Sequence, residues 1–123
     1  MEANVKTSCA ITGPDDFGFE ITQSFKKVGQ ATLTKLFDYM ATVIAKKRDT
    51  TGDYQIVLGV DMTDSASGAT VPLPNGVDPS MTFTSDRAGV EDFEELMLSE
   101  TQALLGRVKK GKGKGQAKQH GRP

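Results

Sequence analysis

"FGFEITQSFKKVGQATLTKLFDYMATVIAKKR", residues 17–48, decides the fold, because its apolar period changes partway along. Phe17, Phe19, Ile21 and Phe25 share the parity of a strand with one buried face. Beyond Gly29 the spacing becomes helical. Leu33, Leu36, Phe37, Met40, Val43 and Ile44 stand at i, i+3, i+4, i+7, i+10 and i+11, one stripe of an amphipathic helix. Lys46, Lys47 and Arg48 close that helix, where cations suit the negative end of its dipole. The helix stripe must be buried on something, and the apolar face of the preceding strand is the nearest candidate. The three phenylalanines are therefore assigned to packing against the helix rather than to stacking on unpaired bases.

Upstream, "VKTSCAI" (5–11) alternates through Val5, Thr7, Cys9 and Ile11, and the turn-rich "GPDDFG" (13–18) joins it to the next strand as a hairpin. Downstream, after "TTGD", "YQIVLGVDM" (54–62) alternates through Tyr54, Ile56, Leu58, Val60 and Met62. Val57 and Gly59 on its other face predict a central strand covered on both sides. In "TDSASGATVPLPNGVDPS" (63–80), Asn75-Gly76 is a two-residue hairpin turn. Pro72, Pro74 and Pro79 restrict its neighbours to an edge strand or a loop. "MTFTS" (81–85) returns to the sheet. A second helix is expected from about Val90 to about Val108, roughly 28 Å long. Ser85 or Asp86 caps it, Glu91, Asp92, Glu94 and Glu95 crowd its positive end, and Arg107, Lys109 and Lys110 sit at its negative end. The order β-β-α-β-(β)-β-α predicts an α+β fold, with a mainly antiparallel sheet and two helices in one small domain.

The charges are sorted along the chain. All sixteen acidic residues lie between Glu2 and Glu100, alongside eight of the fifteen basic ones, so this part carries −8. The other seven cations, Arg107, Lys109, Lys110, Lys112, Lys114, Lys118 and Arg122, give the last seventeen residues +7. The chain thus reads as a body over 1–108 and a Gly/Lys-rich tail over 109–123. With nothing apolar to bury and a glycine at 111, 113, 115 and 121, the tail is expected to be disordered when free. Spaced cations on such a tail suit a polyphosphate, because counterion release supplies the free energy without preset geometry. Charge alone reads phosphate, so DNA and RNA, single- or double-stranded, are not distinguished.

Catalytic patterns are lacking. "GRVKKGKG" (106–113) imitates the opening of a phosphate loop, but Gly113 stands where Ser or Thr must hold magnesium, and the stretch closes a helix instead of opening one. His120, the one histidine, lies in the tail without ligand or triad partners. Asp61 and Asp64 lack calcium-loop spacing and read as a solvated strand end. Cys9 reads as a small core residue, and a single cysteine forms no internal disulfide, which fits a reducing compartment such as the cytoplasm or the inside of a virion. No apolar run reaches the ~18 residues of a membrane span, and the opening "MEANVKTSCA" lacks the pattern of a signal peptide. No cofactor, metal or catalytic residue is assigned.

The second helix carries more apolar surface than one stripe requires. Phe93, Leu96, Met97 and Leu104 form one line, while Leu98, Leu105 and Val108 form another. The second line is assigned to self-association, which makes the expected body a homo-oligomer. The expectation is a non-enzymatic, sequence-nonspecific nucleic-acid-binding protein, of the kind a virus or phage uses as a genome-associated structural component. The alternative is a regulator or inhibitor that binds a protein through the acidic body or the apolar face of the second helix.

Overall fold

The computed structural model describes residues 1–47, 51–101 and 103. Strand β1 (Glu2–Thr12) and strand β2 (Gly18–Gly29) form the hairpin, helix α1 (Gln30–Lys47) follows β2 directly, and β3 (Tyr54–Asp64) and β4 (Ser80–Ser85) complete the sheet. Helix α2 (Arg87–Glu95) then runs into a π-helical turn, Leu96–Glu100. All ladders are antiparallel and the strand order is β2-β1-β3-β4. Because β1 is antiparallel to both neighbours, β2 and β3 run the same way, and α1 carries the chain across β1 between them.

The hairpin turn is built on two aspartates. Asp15 and Asp16 have φ of 58° and 61°, and the Phe17 amide donates to the Pro14 carbonyl at 3.1 Å. Positive φ at both central positions gives the turn the twist of the strands it joins, and aspartate tolerates that region better than most residues.

Alternation places one face of every strand in a single core with both helices. Register aligns the core residues in rows across the sheet: Phe19–Ile11–Ile56–Phe83, Ile21–Cys9–Leu58–Met81, and Phe25–Val5–Met62. Leu33, Leu36, Phe37, Met40, Val43 and Ile44 of α1 are all buried against this face, as the helical spacing requires. Val90, Phe93, Leu96 and Met97 supply the second helical contribution, with Phe93 packed on Phe83 at 5.5 Å between ring centroids. Phe19 and Phe25 are core residues, so neither offers a ring to a base.

Three expectations are corrected. Strand β3 is interior to the sheet but is not covered on both faces: Val57 is 39% exposed, on a face shared with Ala10, Glu20 and Thr82. The described helices lie on the other side, and among the described residues no element covers this one. The bracketed strand before β4 shrinks to a single bridge, Thr63 with Thr70. Asn75 and Gly76 do take the expected positive φ, 60° and 72°, and Val77 N–H donates to the Pro74 carbonyl at 3.2 Å. The prolines deny that turn any ladder, and it instead lies on α1, with Asn75 Nδ2 donating to Asp38 Oδ1 at 2.9 Å.

The third correction concerns the second helix. It starts earlier than expected, at Arg87, with the Asp86 carboxylate accepting from the Gly89 amide at 2.9 Å. Its α geometry gives way over Leu96–Glu100 to a π-helical turn, where the Thr101 amide reaches back five residues to the Leu96 carbonyl, and Thr101 and Ala103 are α-helical again. The turn leaves Thr101 fully buried on the core side, together with Leu96 and Met97.

Candidate functional site

The cations that sequence reading assigns to nucleic acid, Arg107, Lys109, Lys110, Lys112, Lys114, Lys118 and Arg122, lie outside the described residues, as do Leu105 and Val108 of the association line. Leu98 is the described member of that line. It sits on the outer side of the π-turn, 38% exposed, while Leu96 and Met97 beside it are buried. Sequence periodicity therefore separates the two apolar lines correctly at this point, even though the helix changes geometry there.

The π-turn also exposes a feature that the apolar pattern passes over. Between the rows of core residues runs a polar one: Gln23 of β2 lies opposite Thr7 of β1, and both face inward. Gln23 Nε2 donates to the Met97 carbonyl at 2.8 Å, a contact across 74 residues of chain. Widening a helix to π geometry disturbs its i→i+4 bonding, and the amide of Gln23 supplies the Met97 carbonyl with a donor from outside the helix. The first hairpin thus grips the last described turn of the body. Gln23 Oε1, Thr7 Oγ1 and Thr101 Oγ1 are buried without a hydrogen-bond partner among the described residues. A glutamine at a core-phase position of "FEITQSF" was the available signal for this contact.

At one end of the sheet a second cluster ties α2 to the hairpin. Phe17 meets Tyr54 edge-to-face at 5.5 Å, and the Arg87 guanidinium lies over Phe17 at 4.9 Å and Tyr54 at 5.9 Å. Gly13 abuts the Tyr54 ring so closely that a side chain there would collide with it. Phe17 is thus engaged from two sides. Arg87 also pairs with Glu91 at 3.6 Å, and Lys46 at the end of α1 reaches Asp92 at 3.7 Å. These exposed pairs hold geometry more than they add stability.

The remaining polar groups are tied into structure. Asp64 Oδ2 accepts from the amides of Ser67 at 2.8 Å and Ala66 at 3.1 Å, and the Ser67 amide holds this carboxyl below its ordinary range. That carboxylate closes a turn after β3, while Asp61 stands on the open face opposite Lys6. Burial pushes the Cys9 thiol up to about 12, with the Glu94 carboxylate adding to the effect, so Cys9 is neutral and inert. A pocket of about 280 Å³ lies between α1 and the proline-rich loop, lined by Leu33, Phe37, Met62 and Val71. Asp38 and Asn75 on its rim are bonded to each other. Among the described residues no three His, Cys, Asp or Glu side chains converge as metal ligands, and no helix is long and apolar enough to cross a membrane. Comparison with protein-family models, curated proteins and solved structures finds no match to this chain.

Proposed function

We propose that this protein binds nucleic acid without sequence preference through its basic C-terminal arm, on a body that acts as a scaffold and not as an enzyme. The observation that carries the reading is the sorting of charge: +7 over the last seventeen residues against −8 before them. The body's own charge repels a polyanion, which confines the contact to the arm. Self-association through the line that begins at the exposed Leu98 brings several arms together, and effective concentration then multiplies a weak contact. A genome-associated structural component of a virus or phage is one setting for such a molecule.

A chain ending at Gly106 tests the reading. Full-length protein is expected to bind labelled single- and double-stranded DNA and RNA alike, with log K falling against log salt at a slope of about −5 on single strands and about −6 on duplex. The shortened chain is expected to lose both affinity and slope. Equal binding by the two chains would leave the acidic body as the working surface, as in a protein-binding regulator, the second reading that the exposed Leu98 favours.

A further inference from the structure

The two edges of the sheet are β2 and β4, and β2 is long. It spans twelve residues, contains no proline, and pairs only with β1 among the described residues. A bare edge of this kind presents a row of backbone donors and acceptors to another strand. The run open to pairing ends at a bulge, where Lys26 and Lys27 together oppose Asn4, Lys27 has φ of 55°, and its amide is held by Asn4 Oδ1 at 3.0 Å. The stretch before the bulge is "GFEITQSF", residues 18–25, and Lys26, the first residue of the bulge, directly follows it.

We infer that β2 is a self-pairing edge, and that two copies of this chain join antiparallel about a twofold axis at Gln23 into one continuous eight-stranded sheet. Register selects this arrangement. Opposed residues in an antiparallel ladder point to the same face, so the amphipathic strand can pair with itself only in steps of two. With Gln23 on the axis, Ile21 meets Phe25 on the core face, Thr22 meets Ser24 on the open face, and Glu20 meets Lys26. Glu20 and Lys26 are both exposed, and the twofold makes two such opposite-charge pairs. Shifting by one step either way puts Glu20 across from Ser24 or Val28 and loses both pairs. Gln23 meets its own copy at the axis, where the two amides stand as direct cross-strand neighbours. Its Oε1, buried and without a partner among the described residues, there comes within reach of the second amide's remaining N–H. The occupant of the edge is thus a second copy, through an isologous contact distinct from the Leu98 line. This inference concerns the body and does not depend on what the arm binds.

The test uses the full-length protein, freed of nucleic acid, in sedimentation across a concentration series. The wild type is expected to associate reversibly, and Leu98→Glu, which removes the other line, is expected to leave a monomer–dimer equilibrium through β2. Glu20→Lys and Lys26→Glu each turn two attractive pairs into two repulsive ones, and each should raise the dimer dissociation constant about tenfold. The double variant restores opposite charges across the axis and should return to within about twofold of wild type. Circular dichroism establishes that each variant is folded, and Lys26→Glu reads the same contact should Glu20→Lys not fold. A wild type that stays monomeric, a double variant as weak as the single ones, or a dimer that yields to Leu98→Glu and ignores Glu20→Lys would each overturn the inference.

Discussion

The two edge strands finish the same sheet in opposite ways. Strand β4 is six residues long, follows directly on Pro79, and is held from beneath by Phe93 against Phe83. Strand β2 is twice that length, free of proline, and anchored through a side-chain amide to the last helical turn. Shortness and proline are ordinary ways to blunt an edge against other chains. Where β4 is blunted, β2 is stopped only by the bulge at Lys26 and Lys27. The difference indicates which side of the molecule is closed off and which can accept a neighbour. It also shows that the edges depend on different parts of the core: β4 on an aromatic contact and β2 on a polar one.

The sharpest way to break this contrast is to remove the support of β4. Phe93→Ala, at a fully buried ring, should cost about 3–5 kcal/mol in urea unfolding. Amide exchange should rise in β4 before it rises in β2, and a uniform rise would mean that the two edges are not separately supported. Next in size is the polar anchor. Gln23→Leu leaves the Met97 carbonyl buried without its donor and should cost about 1–3 kcal/mol. Thr7→Val beside it should be neutral or slightly stabilising, since the Thr7 hydroxyl has no partner among the described residues to lose. A costly Thr7→Val and a harmless Gln23→Leu would reverse the account of this row.

Cys9, on the interior strand between Ile21 and Leu58, reports whether either side opens. Its folded-state thiol lies near 12 against an ordinary value of 9.0. The folded chain therefore keeps this proton over a range in which the unfolded chain releases it. The contribution to stability is whole below about pH 9 and falls as pH rises, by up to about 1.4 kcal/mol per unit, until the folded thiol titrates. Cys9→Ala should remove that alkaline slope while costing some packing. At pH 8 the native thiol should resist a disulfide reagent that labels it at once in denaturant. The smallest effect belongs to the hairpin turn. Replacing Asp15-Asp16 by Asn-Gly suits the two positive φ values and should raise stability by about 0.5 kcal/mol, read as a higher urea midpoint.

The parts of the fold that follow from period alone were legible. The α1 stripe, the hairpin faces and the core side of β3 are each a single arithmetic pattern, and burial dictates them. Where a residue's place depends on what lies across from it, sequence reading went astray. Val57 looks apolar enough to be covered, yet coverage depends on the side to which both helices go. The Asn75-Gly76 turn has the right backbone, but prolines on both sides leave it without strands. The π-turn, which places Thr101 on the core side, breaks the helical period, and period alone does not announce it. Of the candidate site, the exposure of Leu98 was legible from its rotation against Met97, whereas Gln23 was passed over because a lone amide breaks no periodicity. The arm's reading rests on charge, which is wholly a property of the sequence.

That arm carries the central claim, and the salt dependence of binding tests it most directly. Full-length protein titrated onto a labelled single-stranded homopolymer at several salt concentrations should give log K against log salt a slope of about −5, set by its seven spaced cations. Neutralising Lys109, Lys110, Lys112 and Lys114 together as glutamines should reduce the slope to about −2. A slope near zero, or one that those four substitutions leave unchanged, would contradict the claim.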